Sequence, residues 1–196
     1  MSAPQIVVKP VTPSRWDDLA KLFGPNGAYS GCWCMFHRQT SAEFQAKAGA
    51  PNRSEMKSLV AGRKTPGLLA YVDGEPAGWV SVAPRKQFGR VERSPLSKHL
   101  DPAASSDGVW SITCFFIHRA HRGQGIASAL VESAVGYAAS KGARAVEGYP
   151  FDPAHKSTWN SAEAYIGTYD MFSAAGFREV ERRKPGRPLM RYQVKV

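Results

Sequence analysis

The stretch from Val109 to Lys141 constrains this chain most. It reads as a strand, a tight glycine turn and a helix in immediate succession. Val109, Trp110, Ile112, Thr113, Phe115, Phe116 and Ile117 are apolar or β-branched residues that fit a pleated, half-buried surface. The turn Arg122-Gly123-Gln124-Gly125-Ile126-Ala127 follows. Ile126, Leu130, Val131, Ala134, Val135 and Ala138 then recur at helical spacing, and Gly142 supplies a C-cap just past Lys141. Where a glycine turn opens a helix, the first N–H groups have no partner within the helix and the macrodipole is positive. Such a point binds phosphate or pyrophosphate. Gly123 and Gly125 have no Cβ, so the backbone can come close to an anion, and Arg122 adds a positive charge beside it.

The turn resembles the Q/R-x-x-G-x-G/A signature of the GNAT superfamily of acyl-CoA-dependent N-acyltransferases, with Ala127 in the last small position. A second family-like segment, Phe172-Ser173-Ala174-Ala175-Gly176-Phe177, follows downstream. The dinucleotide-binding alternative fails at Ser128, where G-x-G-x-x-G needs a third glycine.

The remaining pattern agrees with one domain spanning residues 1–196. Ile6-Val7-Val8 reads as a strand, and Thr12-Pro13 opens a helix through Leu22. Residues 41–63 look helical, with Ser41 at the start and Asn52 and Ser54 as candidate caps. Leu68–Val72 and Ala77–Val82 flank Asp73-Gly74 as a hairpin. Residues 84–108 show no periodicity and read as a long surface loop. Ala145–Tyr149 is a short strand and 151–160 an irregular insert. Ser161, with Glu163 in the first turn, caps a helix reaching Ala175, and two closing strands surround Lys184-Pro185-Gly186. The resemblance therefore implies an α/β (α+β) fold: a mixed, mostly antiparallel sheet of about seven strands flanked by helices, strands four and five splayed.

Hydrophobic content of 43% and charged content of 21% are ordinary for a globular chain. No apolar run reaches the ~18 residues of a membrane helix. The first residues lack the basic and apolar regions of a signal peptide, and three cysteines are too few for a disulfide framework, so a cytoplasmic location is the expectation. The net charge of +10 suits an acidic partner, and coenzyme A is itself a polyanion. The basic residues are spread along the chain, densest at Arg182, Arg183, Lys184 and Arg187, which argues against a nucleic-acid footprint.

The resemblance implies acetyl-CoA as co-substrate and an amine acceptor as partner. It places the pyrophosphate on Arg122, Gly123, Gln124, Gly125, Ile126 and Ala127, and the pantetheine arm along the strand edge at Phe115, Phe116 and Ile117. The acyl group is then attacked directly by the amine. A homodimer is compatible with this reading; a membrane role and a metal are not called for. The alternative is a non-catalytic acyl-CoA-binding module.

The tyrosine that the family often uses to protonate the leaving thiolate is Phe172 here, which has no proton to give. Tyr165, Thr168 and Tyr169 are the nearby substitutes, Tyr165 and Tyr169 sharing a helix face if the helix is continuous. Glu147, Tyr149 beside it on the same strand face, and Asp107 are the candidate bases or proton carriers. Cys114 would allow an acyl-cysteine route, although a buried thiol is the plainer reading.

Gly31-Cys32-Trp33-Cys34-Met35-Phe36-His37-Arg38 is the oddest local sequence. Cys32, Cys34 and His37 lack a fourth ligand and a standard zinc spacing. The bland reading is an aromatic, sulfur-rich packing loop. The family often places this segment over the acceptor, so Trp33, Met35 and Phe36 are candidate acceptor contacts, together with the loop from Arg85 to His99. With Glu147 opposite to hold a cation, the expected acceptor is a partly apolar amine with a basic or polar tail.

Overall fold

The computed structural model describes residues 5–97, 106–155 and 165–195. Seven strands form one sheet: β1 (Ile6–Pro10), β2 (Gly67–Val72), β3 (Glu75–Pro84), β4 (Val109–Ile117), β5 (Ala145–Gly148), β6 (Arg178–Lys184) and β7 (Arg187–Gln193). Their order is β1-β2-β3-β4-β5-β7-β6. Every pairing is antiparallel except β4 with β5.

The expected α/β architecture with a mostly antiparallel sheet is therefore present. The β2–β3 hairpin turns through Asp73 (φ +51°) and Gly74 (φ +84°). These are the two left-handed residues of a turn whose twist matches the strands.

Helix α5 (Ile126–Ser140) lies on one sheet face and buries Ile126, Leu130, Val131, Ala134 and Ala138, most of the stripe read from the sequence. Leu68, Ala70, Val80, Val82, Ile112, Val146 and Met190 form the sheet side of this core. Each fully buried Leu or Val contributes about 1.5–3 kcal/mol. Gly78 of β3 makes the close approach possible: a Cβ there would lie 2.7 Å from Ile126 Cγ2.

The opposite face carries α1 (Trp16–Phe23) and α3 (Ala50–Ala61), with Trp16, Leu19, Phe23, Trp33, Met56, Leu69 and Trp79 in a second core.

A bulge decides which β4 residues face which core. Ser81 pairs with Cys114 but Val82 pairs with Ile112, leaving Thr113 as an extra residue. Ile112, Phe115 and Ile117 consequently belong to the α5 side, and Cys114 and Phe116 to the other.

Several expectations change. Residues 84–108 are not a plain loop: Arg85–Gln87 is a 3-10 turn, α4 spans Gly89–Arg93, and a second 3-10 turn covers Pro95–Ser97. Phe88 is fully buried and Val91 nearly so, which anchors the segment to the sheet. The helical region 41–63 is two helices. Thr40, not Ser41, caps α2 (Ser41–Ala46) in a reciprocal capping box with Glu43. Asn52 is no cap; it lies inside α3, fully buried, bonded to the Gly31 carbonyl and to Gln39 Nε2.

The helix expected to reach Ala175 is interrupted at Gly167 (φ +78°), and α6 comprises only Tyr169–Ala174 under a Thr168 cap. Tyr165 and Tyr169 thus share no helix face. The expected cap at Ser161, its partner Glu163, and His99 lie outside the described residues. No described helix is long and apolar enough to cross a membrane.

Candidate functional site

The site begins where β4 and β5 part. Their pairing runs from Val109–Ala145 to Ile112–Gly148 and stops there, while β4 continues to Ile117. Beyond Gly148 the chain turns away, and Phe151 pairs instead with Thr168. Phe172 wedges behind this departure. It is fully buried, edge-on to Phe115 and Phe177, and a Cβ on Gly148 would sit 2.2 Å from its ring. The wedge keeps the strands apart and leaves the Thr113–Ile117 edge without a β5 partner. Thr113 Oγ1 is buried at this junction with no hydrogen-bond partner.

From Ile117 the chain passes through a 3-10 turn (Arg119–His121) into Arg122–Gly125 and then α5. Gly123 (φ +77°) and Gly125 (φ +79°) are left-handed, and an added Cβ on either would meet nothing within 4 Å. The first helical bond runs from Ala129 N–H to the Gly125 carbonyl. The N–H groups of Ile126, Ala127 and Ser128 therefore point out of the helix end with no intrahelical acceptor. No acidic residue occupies the first turn. Arg122, Gly123, Gln124 and Gly125 are exposed, Ala127 half-buried, and Ile126 anchors the turn in the core. Such a helix end can receive an anion, and it is continuous with the strand edge at Phe115, Phe116 and Ile117.

On the far face, Glu147 and Tyr149 do share a side, as strand alternation requires, but within a closed polar network. The Glu147 side chain has no exposed surface. Its Oε2 accepts from Arg85 Nη1 (2.7 Å) and Tyr149 Oη (3.0 Å), and its Oε1 accepts from Arg191 Nη2 (2.7 Å) and Nε (3.2 Å). Arg85 also binds Glu92 Oε1 and the Ser97 carbonyl. Burial and the Glu147 charge push the Tyr149 phenol well above its ordinary range. A carboxylate already holding two guanidiniums and a phenol has no open path to an incoming amine. The geometry is that of a structural hub rather than of the expected base. Asp107 pairs with Lys86 before the start of β4, at the end remote from the glycine turn.

Trp33 is likewise not on a pocket wall. It is 4% exposed, stacked on Trp16 at 6.0 Å and edge-on to Phe23, because its left-handed φ of +43° turns the indole inward over Gly27. Met35 is buried beneath a hollow of about 290 Å³ whose rim includes Glu55, Leu59 and Lys64 of the α3 region. Phe36 alone of the three expected contacts faces the other functional groups, lying near His37, Phe44, Tyr165 and Arg90.

The thiols lie close together. Cys34 Sγ lies 3.7 Å from Cys114 Sγ, and hydrogen bonding from Cys34 brings the Cys32 thiol down to about 6. Among the described residues no group of three His, Cys, Asp or Glu forms a metal site. Tyr169 is half-buried against the α5-side core, with Arg182 5.8 Å from its ring. Arg85 and Arg90 fall within the loop from Arg85 to His99 expected near the acceptor, but neither was singled out there, and Arg191 was not anticipated at all. Arg191 had a faint signal, a charge on the inward phase of a closing strand, whereas nothing local marks Arg85 or Arg90.

The sequence model described as "Acetyltransferase (GNAT) family" matches residues 32–158. No curated protein sequence matches. Solved structures of similar fold include PaiA N-acetyltransferase from Thermoplasma acidophilum in complex with coenzyme A. It is 10% identical with a TM-score of 0.55, covering 97% of this chain and 99% of that one. A GNAT-family acetyltransferase from Listeria monocytogenes 4b F2365 is 12% identical, with a TM-score of 0.57 and 99% of both chains covered. A GCN5-related N-acetyltransferase from Kribbella flavida is 16% identical, with a TM-score of 0.53, covering 96% and 98%. At these identities the likeness is one of fold.

Proposed function

Because the chain belongs to the GNAT family of acetyltransferases, we propose that it transfers an acetyl group from acetyl-CoA to a primary amine by direct attack. The observation that carries this reading is the open β4 edge leading without interruption into the anion cradle of Arg122–Ala127. The first-turn N–H groups and Arg122 bind the pyrophosphate. The pantetheine amides add to the Thr113–Ile117 edge as an extra strand would. The amine nitrogen, having lost a proton to water, attacks the thioester carbonyl carbon. The C–N bond forms, the C–S bond breaks, and the nitrogen sheds a second proton as the thiolate gains one.

Phe172 cannot supply that proton, and the Tyr149 proton is directed at Glu147. Tyr169, one turn before Phe172, is the phenol assigned to the thiolate. One observation favours a second reading, a non-catalytic acyl-CoA-binding module: the buried phenylalanine where the family's acid stands.

A thiol-release assay over a panel of amines, with mass detection of the product, separates the two. Acetylated product, with kcat reduced in Tyr169→Phe at unchanged KM, supports transfer. Tight coenzyme binding without turnover of any amine supports the binding module instead.

A further inference from the structure

We propose that the acceptor is a small amine carrying a carboxylate, and that Arg90 receives this group with His37 beside it. This rests on the acyl-transfer reading and adds the class of its substrate. Arg90 is held on three sides. Its guanidinium lies 4.0 Å from the centre of the Phe36 ring, its Nη1 donates to Ser41 Oγ at 3.2 Å, and its backbone N–H donates to the His37 carbonyl at 3.1 Å. The opposite edge of the guanidinium, Nε and Nη2, is shielded from solvent and has no acceptor. These two nitrogens form the parallel fork that a carboxylate fills with two hydrogen bonds. His37 Nε2 and Arg38 Nε are buried and unpartnered in the same way.

Donors left like this are rare in folded proteins, because each loses its water without gaining a partner. Here they sit on neighbouring residues, and the charges acting on His37 have one sign. Arg90, Arg187 and Arg38 all act on His37. Burial first, and these three cations next, bring its imidazole down to about 3. Among the described residues none of the three arginines has a carboxylate partner. Glu147, expected to hold the cationic amine before it loses its proton, is already neutralised by Arg85 and Arg191.

The cluster also borders the reaction site. Cys34 ties its loop to Cys114 on β4. Tyr165, ringed by Phe36 at 6.3 Å and His37 at 6.2 Å, precedes Gly167, which packs against Phe115 at the strand split. Phe36 and Tyr165 both keep some solvent exposure, which marks the way in.

The test compares free amino acids with their primary amides as acceptors, at equal concentrations of unprotonated amine because the amide makes the amine less basic. The acids are expected to exceed the amides in kcat/KM by at least about tenfold, the low end for a charge-assisted pair. In Arg90→Gln this ratio should fall about 10- to 150-fold, towards one, through KM for the acid. Arg90→Lys keeps the charge without the fork and should restore only part of it, and coenzyme affinity measured separately reports that each variant is folded. Amides as good as acids, or an unchanged ratio in Arg90→Gln, would overturn the proposal. If no amine is acetylated, calorimetry of the same pairs on coenzyme-saturated protein decides. Acid-selective binding lost in Arg90→Gln sustains the site while transfer fails, and absence of such selectivity removes the site as well.

Discussion

Glu147→Gln separates a structural hub from a catalytic base. The substitution keeps the volume and one acceptor oxygen, so no cavity opens and the loss is one of charge. The Glu147 side chain is fully buried and that of Arg85 is 6% exposed, whereas Arg191 is 25% exposed. Breaking a buried ion pair from one side costs about 3–5 kcal/mol, because the partner stays desolvated and unpaired. Two features pull the estimate to the lower end. Arg85 retains Glu92 and the Ser97 carbonyl, and the partly exposed Arg191 arm regains water. We expect a loss of about 3 kcal/mol, or a Tm lowered by about 6–12 °C for a chain of this size. Calorimetric melts of the wild type and the variant at one pH measure it. A companion set, Arg85→Met, Glu147→Leu and the two together, tests the coupling. Removing both charges should cost less than the sum of the single losses. A Glu147→Gln protein that melts within about 1 °C of wild type yet has lost turnover would refute the argument and return Glu147 to the role of base.

The other expectations concern separate parts of the molecule. Gly125→Glu puts a side chain on a left-handed residue and a negative charge at the anion cradle; coenzyme affinity measured by calorimetry should fall more than about 100-fold, and an unchanged affinity in folded protein would remove the turn from the binding site. Trp33→Ala should cost about 3–5 kcal/mol, as for large aromatic truncations in cores. Its signature is a lowered Tm, and a selective rise in acceptor KM with an unchanged melt would instead put the indole at the acceptor. Cys32, half-exposed with its thiol pulled down to about 6, should be alkylated faster than Cys34 at pH 7, its rate rising with pH through a midpoint near 6. Peptide mapping after limited iodoacetamide treatment checks this, and labelling led by buried Cys34 would contradict it.

Local chemistry was decisive wherever neighbouring residues alone set the backbone. The apolar run into Ile117, the paired glycines and the stripe of α5 dictate strand, turn and helix whatever else surrounds them. Asp73-Gly74 likewise dictates its hairpin, since few other pairs accept two left-handed residues in succession. The strand, glycine turn and helix of the candidate site were therefore legible in the chain. The acceptor half of that site was not. Arg85 meets Glu147 across 62 residues, and nothing near either one announces the other.

Tertiary packing also overruled local pattern. Gly167 has the look of a tolerable helix interior, but its positive φ, with the Phe115 and Phe172 rings against it, excludes the expected continuous helix there. Trp33 has the composition of a pocket wall, yet its φ turns it into the core. The Thr113 bulge exchanges the faces of every β4 residue beyond it. A one-residue slip reverses which side chains meet which layer, and that slip is set by pairing with β3, not by β4 itself. The glycine turn and the helix it opens follow from short-range backbone preference. The charge and shape offered to the acceptor depend on contacts between residues far apart in sequence, and only the packed sheet and its covering loops brought those together.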